Sequence, residues 1–78
     1  MTKIEDLAKE SFGSDCTVEP NAQFLSVYQG EIKMAVINTT QHRMILSSPD
    51  FLDNANRFSE AYKQAQGVNN FLIFASYL

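Results

Sequence analysis

The side chains best suited to chemistry are a single histidine, His42, and a single cysteine, Cys16. A histidine acts as a general base when it reaches a substrate proton and a suitable neighbour tunes it, but His42 stands at a polar turn beside Arg43 rather than a carboxylate. We interpret it as a solvated side chain. One cysteine and one histidine also cannot supply the four donors of a structural zinc site. The sequence therefore predicts no catalytic residue, no metal site and no cofactor.

The acidic residues that lie close together in sequence have a structural explanation. Asp50 and Asp53 fall at the start of one predicted helix, and Glu5, Asp6 and Glu10 fall on another. As acid and base they would need a cleft and shifted pKa values. Carboxylates in the first turn of a helix already stabilise its dipole, and we read them in that way.

The distribution of charge excludes several classes of partner. The net charge is −3, and the basic residues are single and scattered, so no stripe follows a phosphate backbone. Phe71 and Phe74 could stack on bases, but they are three apart and point to opposite sides of a strand. The three glycines are isolated, so they cannot form a phosphate loop. We expect no nucleic-acid partner.

The chain also gives expectations for size and location. Its 78 residues allow one domain, 1–78, and a chain of this size buries about 60% of its unfolded surface. No apolar run approaches the roughly 18 to 20 residues that span a bilayer, and the N-terminal residues do not resemble a secretory signal. The lone Cys16 suits a reducing compartment. We therefore expect a cytoplasmic protein with no membrane contact.

The periodicity of apolar residues predicts alternating element types. Thr2 and Glu5 form a capping box for a helix over 3–12, and Ser48 caps a second helix that ends at Gly67. Gly30 suits a tight hairpin between two strands. The predicted elements are a helix over 3–12, a loop over 13–23, strands over 24–28, 31–38 and 42–46, the second helix, and a very apolar strand over 71–78.

This order, α-β-β-β-α-β, predicts an α+β fold, a small two-layer sandwich. Its sheet is four-stranded and mostly antiparallel, with both helices on one face. A right-handed crossover makes the last strand parallel to the first and third. That strand can pair beside the first strand, giving the order 3-2-1-4, or lie outside the third. We prefer the first arrangement because a strand so apolar on both sides seldom forms a bare edge.

A two-layer sandwich leaves one sheet face open, and we expect association to cover it. Charged residues make up only 19% of the chain, which also favours a surface that is meant to be covered. The exposed side of the second helix is a further contact surface. The candidate partner-binding residues are Leu25, Val27, Ile37, Leu72 and Phe74 on the open face, with Arg57 and Lys63 on the second helix.

These features favour a protein that works by contact. No family motif is matched, although the element order is similar, in topology only, to the core of small dimeric secretion chaperones and of compact phage-encoded inhibitors. The leading hypothesis is a non-catalytic protein-binding module: an inhibitor, adaptor or chaperone-like cofactor of a larger protein. The similarity to phage-encoded inhibitors implies that a phage could encode it. The alternative is a self-associating subunit that forms a homodimer. A small enzyme, such as a hydrolase or transferase, ranks third.

Overall fold

The computed structural model describes residues 3–75, which form a small α+β fold of two layers, as the sequence predicts. Two helices cover one face of a five-stranded mixed sheet. A short 3-10 turn, Pro49–Phe51, leads into the second helix. The helices are α1 (Ile4–Phe12) and α2 (Leu52–Gln66), and the strands are β1 (Thr17–Asn21), β2 (Phe24–Gln29), β3 (Ile32–Asn38), β4 (Arg43–Leu46) and β5 (Leu72–Phe74).

The preferred strand order is wrong, and the alternative position of the last strand, outside the third predicted strand, is confirmed. The sheet runs β1-β2-β3-β4-β5, with antiparallel pairs throughout except the parallel pair β4 and β5. The last strand therefore lies outside β4, the third predicted strand, rather than beside β2. The physical reason is that the outer edge of β2 is already occupied by β1, which pairs with it from Thr17↔Tyr28 to Asn21↔Phe24.

The strand β1 lies in the segment that we expected to be a loop, so the sheet has five strands rather than four. Its residues are almost all exposed, and the fourth of the five is Pro20. A proline and polar side chains are tolerated at the edge of a sheet, where the strand has hydrogen-bonded neighbours on one side only. Such an edge strand lacks the apolar alternation that reveals a half-buried strand.

The core lies between the sheet and both helices. From the helices it contains Phe58 and Tyr62, which are fully buried, and the Asn54 side chain of α2 donates a hydrogen bond to the Ser11 carbonyl of α1 at 2.9 Å. From the sheet it contains side chains at alternate positions, which face the helices. These sheet residues include Leu25, Val27, Ala35, Ile37, Met44 and Leu46.

Three residues expected on the open face belong to this core. Leu25, Val27 and Ile37 are 6%, 0% and 0% exposed. Leu25 is paired with Ile37 across β2 and β3, so the two side chains point to the same face. The helices cover that face, and the open one carries the intervening residues of each strand. The prediction had the two faces of the central strands reversed.

A β-bulge makes the faces harder to read from the sequence. Val27 pairs with Ala35 and Tyr28 pairs with Lys33, which leaves Met34 as the extra residue in β3. Both Met34 and Ala35 are buried, although they are consecutive. The alternation of β3 therefore changes phase within the strand.

The predicted helix ends are mostly confirmed. The Ser48 hydroxyl accepts a hydrogen bond from the Asp50 N–H at 3.1 Å, and Gly67 ends α2 in the left-handed conformation with φ 66°. Thr2, the expected cap of α1, lies outside the described residues, but the N-cap position is Lys3, which makes no side-chain cap hydrogen bond, so the predicted capping register is wrong. The last strand was predicted over 71–78 and is observed over Leu72–Phe74; residues 76–78 lie outside the described residues. Helix α1 begins at Ile4 rather than residue 3.

Candidate functional site

The sheet surface opposite the helices, which we call the open face, carries a strip of exposed apolar side chains. Phe24, Ile45, Leu72 and Phe74 are 39%, 38%, 55% and 41% exposed. They are four of the six large apolar residues exposed in the part of the chain that the structure describes. The other two, Ile32 and Leu52, lie elsewhere, so the exposed apolar surface is concentrated on this face.

Strand register gathers these side chains around a groove. Val36 pairs with Ile45, and Ile45 pairs with Phe74, so three apolar side chains lie in a row across β3, β4 and β5. Phe24 joins them from β2. The groove has a volume of about 440 Å³. Its apolar floor is formed by Phe24, Val36, Ile45 and Phe74, and its polar rim by Asn38, Gln41 and Arg43.

The turn between β3 and β4 builds the rim. The Asn38 side-chain oxygen accepts hydrogen bonds from the backbone N–H groups of Thr40 and Gln41, both at 3.0 Å. This is the usual way in which an asparagine stabilises a turn. The turn places Gln41 beside Arg43, whose Nε donates to the Gln41 Oε1 at 2.7 Å. The end of β3 and the start of β4 thus hold the three rim side chains together.

Arg43 also lies against an aromatic ring of the floor. Its guanidinium carbon is 5.9 Å from the centre of the Phe74 ring, which is within the range of a cation–π contact. Among residues 3–75, no carboxylate forms a salt bridge with this guanidinium. The charged group is therefore positioned by a neutral amide and an aromatic ring.

His42 supports this arrangement from beneath the turn. Its Nδ1 is 2.7 Å from the Tyr62 hydroxyl, and the same hydroxyl lies 3.2 Å from the Thr39 carbonyl, so Tyr62 links the histidine ring to the backbone of the turn. The backbone of His42 is left-handed, with φ 55°, and its carbonyl accepts a hydrogen bond from the Leu72 N–H at 3.1 Å. The residue connects the turn to α2 and to β5.

The expectation of a solvated histidine is therefore wrong. His42 is half-buried, and one ring nitrogen is engaged by Tyr62. Burial raises the pKa of the Tyr62 hydroxyl above its ordinary value, because the charged phenolate would lose its water. At neutral pH the hydroxyl is thus a neutral link between the histidine and the turn.

Cys16 is a small core residue, 5% exposed. Burial raises the pKa of its thiol, and this effect exceeds the opposing attraction of the thiolate to Lys9. A raised pKa keeps the sulfur protonated and poorly nucleophilic at neutral pH. Its position gives it a packing role.

The candidate residues from the sequence lie in three separate places. Leu72 and Phe74 are on the open face, as expected. Arg57 and Lys63 are on α2, which packs against the other face of the sheet, and Lys63 pairs with Glu60 at 3.4 Å. The remaining three, Leu25, Val27 and Ile37, are in the core.

The sequence interpretation missed six of the seven residues that line the groove: Phe24, Val36, Asn38, Gln41, Arg43 and Ile45. A signal for them was present. Arg43 marks the solvent side of β4, and its neighbours across the sheet, Asn38 and then Phe24, must share that side.

Comparisons with protein-family models, curated proteins and solved structures find no match for this chain. Within residues 3–75, neither helix combines the length and the apolar character needed to cross a membrane. The same residues contain no group of three or more His, Cys, Asp or Glu side chains arranged to hold a metal ion. Among the described residues, the open face with its groove is the candidate functional site.

Proposed function

We propose that this protein is a non-catalytic protein-binding module that acts through the open face. The observation that carries the proposal is the set of exposed apolar side chains Phe24, Ile45, Leu72 and Phe74 on one face of the sheet. The core is complete without these side chains, since both helices already cover the other side of the sheet. Apolar surface that is gathered in one patch and not used for folding is typical of a site of association.

The size of the strip indicates how such a face would bind. Burying a large apolar side chain completely contributes about 1.5 to 3 kcal/mol, and these four are already roughly half-buried, so covering them contributes on the order of 4 kcal/mol. Association costs at least about that much in lost translational and rotational freedom. The apolar strip therefore needs polar contacts from its rim to hold a partner.

The arrangement around His42 favours a binding role over a catalytic one. One ring nitrogen, Nδ1, is hydrogen-bonded to the Tyr62 hydroxyl, which also contacts the Thr39 carbonyl. The network holds the turn that carries the rim of the groove. We assign the protein to the inhibitors, adaptors or chaperone-like cofactors of larger proteins, acting in the cytoplasm, where a lone thiol stays reduced.

The test is a pair of isoleucine variants. Ile45→Glu places a charge in the strip, while Ile32→Glu makes the same change at an isoleucine that is 65% exposed and lies outside the groove. Tagged wild type and both variants are used to capture proteins from the source cells, and quantitative mass spectrometry compares the captured proteins. We expect a protein that wild type and Ile32→Glu enrich and Ile45→Glu does not.

Circular dichroism of both variants confirms that they are folded. A partner that binds Ile45→Glu as well as wild type would contradict the proposal. Light scattering of the purified protein tests the homodimer: a dimer that dissociates in Ile45→Glu but not in Ile32→Glu would assign the open face to a second copy of the chain.

A further inference from the structure

We infer that the groove on the open face recognises a carboxylate flanked by large apolar side chains in a segment of the partner protein. The inference rests on the proposed function and specifies the chemistry of the partner. It follows from the hydrogen-bonding capacity that remains at the rim and from the composition of the floor.

The rim has more unused hydrogen-bond donors than unused acceptors. The Asn38 Oδ1 already accepts two backbone N–H groups, and the Gln41 Oε1 already accepts the Arg43 Nε. Each amide therefore has its oxygen engaged inside the turn, and its NH₂ group meets no acceptor among the described residues. A guanidinium has no acceptor at all. The complement of such a rim is a group that accepts hydrogen bonds and carries a negative charge, and an ionised carboxylate meets both conditions.

Arg43 is prepared for this contact. Its Nε is used by Gln41, and its guanidinium lies over the Phe74 ring, so the two terminal nitrogens remain for a ligand. Two parallel N–H groups of an arginine fit the two oxygens of a carboxylate. Because the side chain is already held on two sides, binding orders it less than it would order a free surface arginine.

The floor selects what surrounds the carboxylate. Phe24, Val36, Ile45 and Phe74 present only apolar atoms from their side chains, and the groove they line, about 440 Å³, has room for large side chains. The groove is open to solvent along the sheet, whereas sites for small molecules enclose most of the ligand. This shape suits an extended or helical protein segment that lies across the groove. One acidic residue of the segment would contact the rim, and its apolar neighbours would contact the floor.

The test uses two probe peptides that differ by one group. The first is acetyl-Phe-Glu-Phe-amide and the second is acetyl-Phe-Gln-Phe-amide, which is nearly the same size and lacks the charge. Each is titrated into ¹⁵N-labelled protein, and chemical shifts report both the site and the Kd. We expect the glutamate peptide to shift the amides of Val36, Arg43 and Phe74 and to bind about tenfold more tightly, as the gain from a charged acceptor predicts.

Two arginine variants serve as a matched pair. Arg43→Gln should remove the preference for the glutamate peptide, while Arg57→Gln, which removes the same charge from the outer side of α2, should retain it. Equal binding of the two peptides by wild type, or a preference that survives in Arg43→Gln, would overturn the inference.

The outcomes separate the inference from the proposed function. If the partner is lost in Ile45→Glu but the two peptides bind equally, the open face is a binding surface and the carboxylate assignment is wrong. If the partner is indifferent to Ile45→Glu, the proposed function itself is wrong, whatever the peptides show.

Discussion

The two faces of the sheet are made from alternate residues of the same strands, yet they differ in almost every physical respect. The face toward the helices carries the buried apolar residues of the central strands. The open face mixes half-exposed aromatic and aliphatic side chains with Asn38, Arg43 and other polar groups. Stability therefore depends on one set of positions and the proposed recognition on the other, so substitutions one residue apart should have unrelated effects.

The largest expected effect comes from one residue type placed on each face. Ile37 is 0% exposed on β3 and Ile45 is 38% exposed on the adjacent strand. We expect Ile37→Ala to lower the free energy of unfolding by about 3 kcal/mol, because it removes buried contacts and leaves a cavity. Ile45→Ala should cost less than about 1 kcal/mol. Urea denaturation measures both, and equal losses would show that the two faces do not divide the stability in this way.

A tyrosine pair sharpens the comparison. Tyr62→Phe removes a hydroxyl from the covered side, which leaves the His42 Nδ1 and the Thr39 carbonyl without this hydrogen-bond partner. We expect a loss of about 1 to 2 kcal/mol in the free energy of unfolding. Tyr28 is half-buried and lies on the open face. Tyr28→Phe should change the free energy of unfolding by less than about 0.5 kcal/mol. Chemical denaturation of both variants near pH 7 decides the matter.

Alkaline pH gives a second measure of Tyr62. Because burial raises its pKa, the unfolded chain loses this proton first, and it binds fewer protons than the folded chain as the pH passes about 10. The stabilisation by the neutral hydroxyl is present at lower pH and declines as pH rises. The decline should be smaller in Tyr62→Phe. Measurement in a Cys16→Ala background removes the thiol, whose raised pKa acts in the same direction.

The smallest expected effect on stability belongs to Leu72, which is 55% exposed on the open face. Leu72→Thr keeps a residue suited to a strand and should alter the free energy of unfolding by less than about 0.5 kcal/mol. The solubility limit should rise, because the variant exposes less apolar surface. Thermal unfolding and precipitation by polyethylene glycol measure the two quantities. A clear drop in the midpoint would mean that Leu72 contributes to folding.

Much of the fold was accessible from the sequence because it depends on local patterns. Ser48 and Gly67 mark α2, and its apolar spacing gives the face that packs. Gly30, with φ 62°, occupies the expected hairpin. Phe71 and Leu72 fall on opposite sides of the last strand, as predicted, being 8% and 55% exposed. These features need only neighbours along the chain.

The errors come from features that depend on distant parts of the chain. An edge strand that contains Pro20 has no apolar alternation, so β1 could not be recognised from the sequence. Without β1, the last strand was predicted to pair with the free edge of β2. The bulge at Met34 disturbs the phase of β3. In β2, both alternating sets of positions contain apolar residues. Only the position of the helices decides which of the two sets is buried.

Pro20 has a consequence for the behaviour of the protein in crowded solution. A proline supplies no N–H, and it lies between Glu19 and Asn21 in the strand that borders β2. An incoming strand would find an incomplete hydrogen-bond ladder there, together with a charge, and both discourage sheets from extending sideways into fibres. Strand-to-strand polymerisation is therefore opposed at the β1 edge, and the protein can carry apolar side chains on a broad flat surface without that edge acting as a template for amyloid.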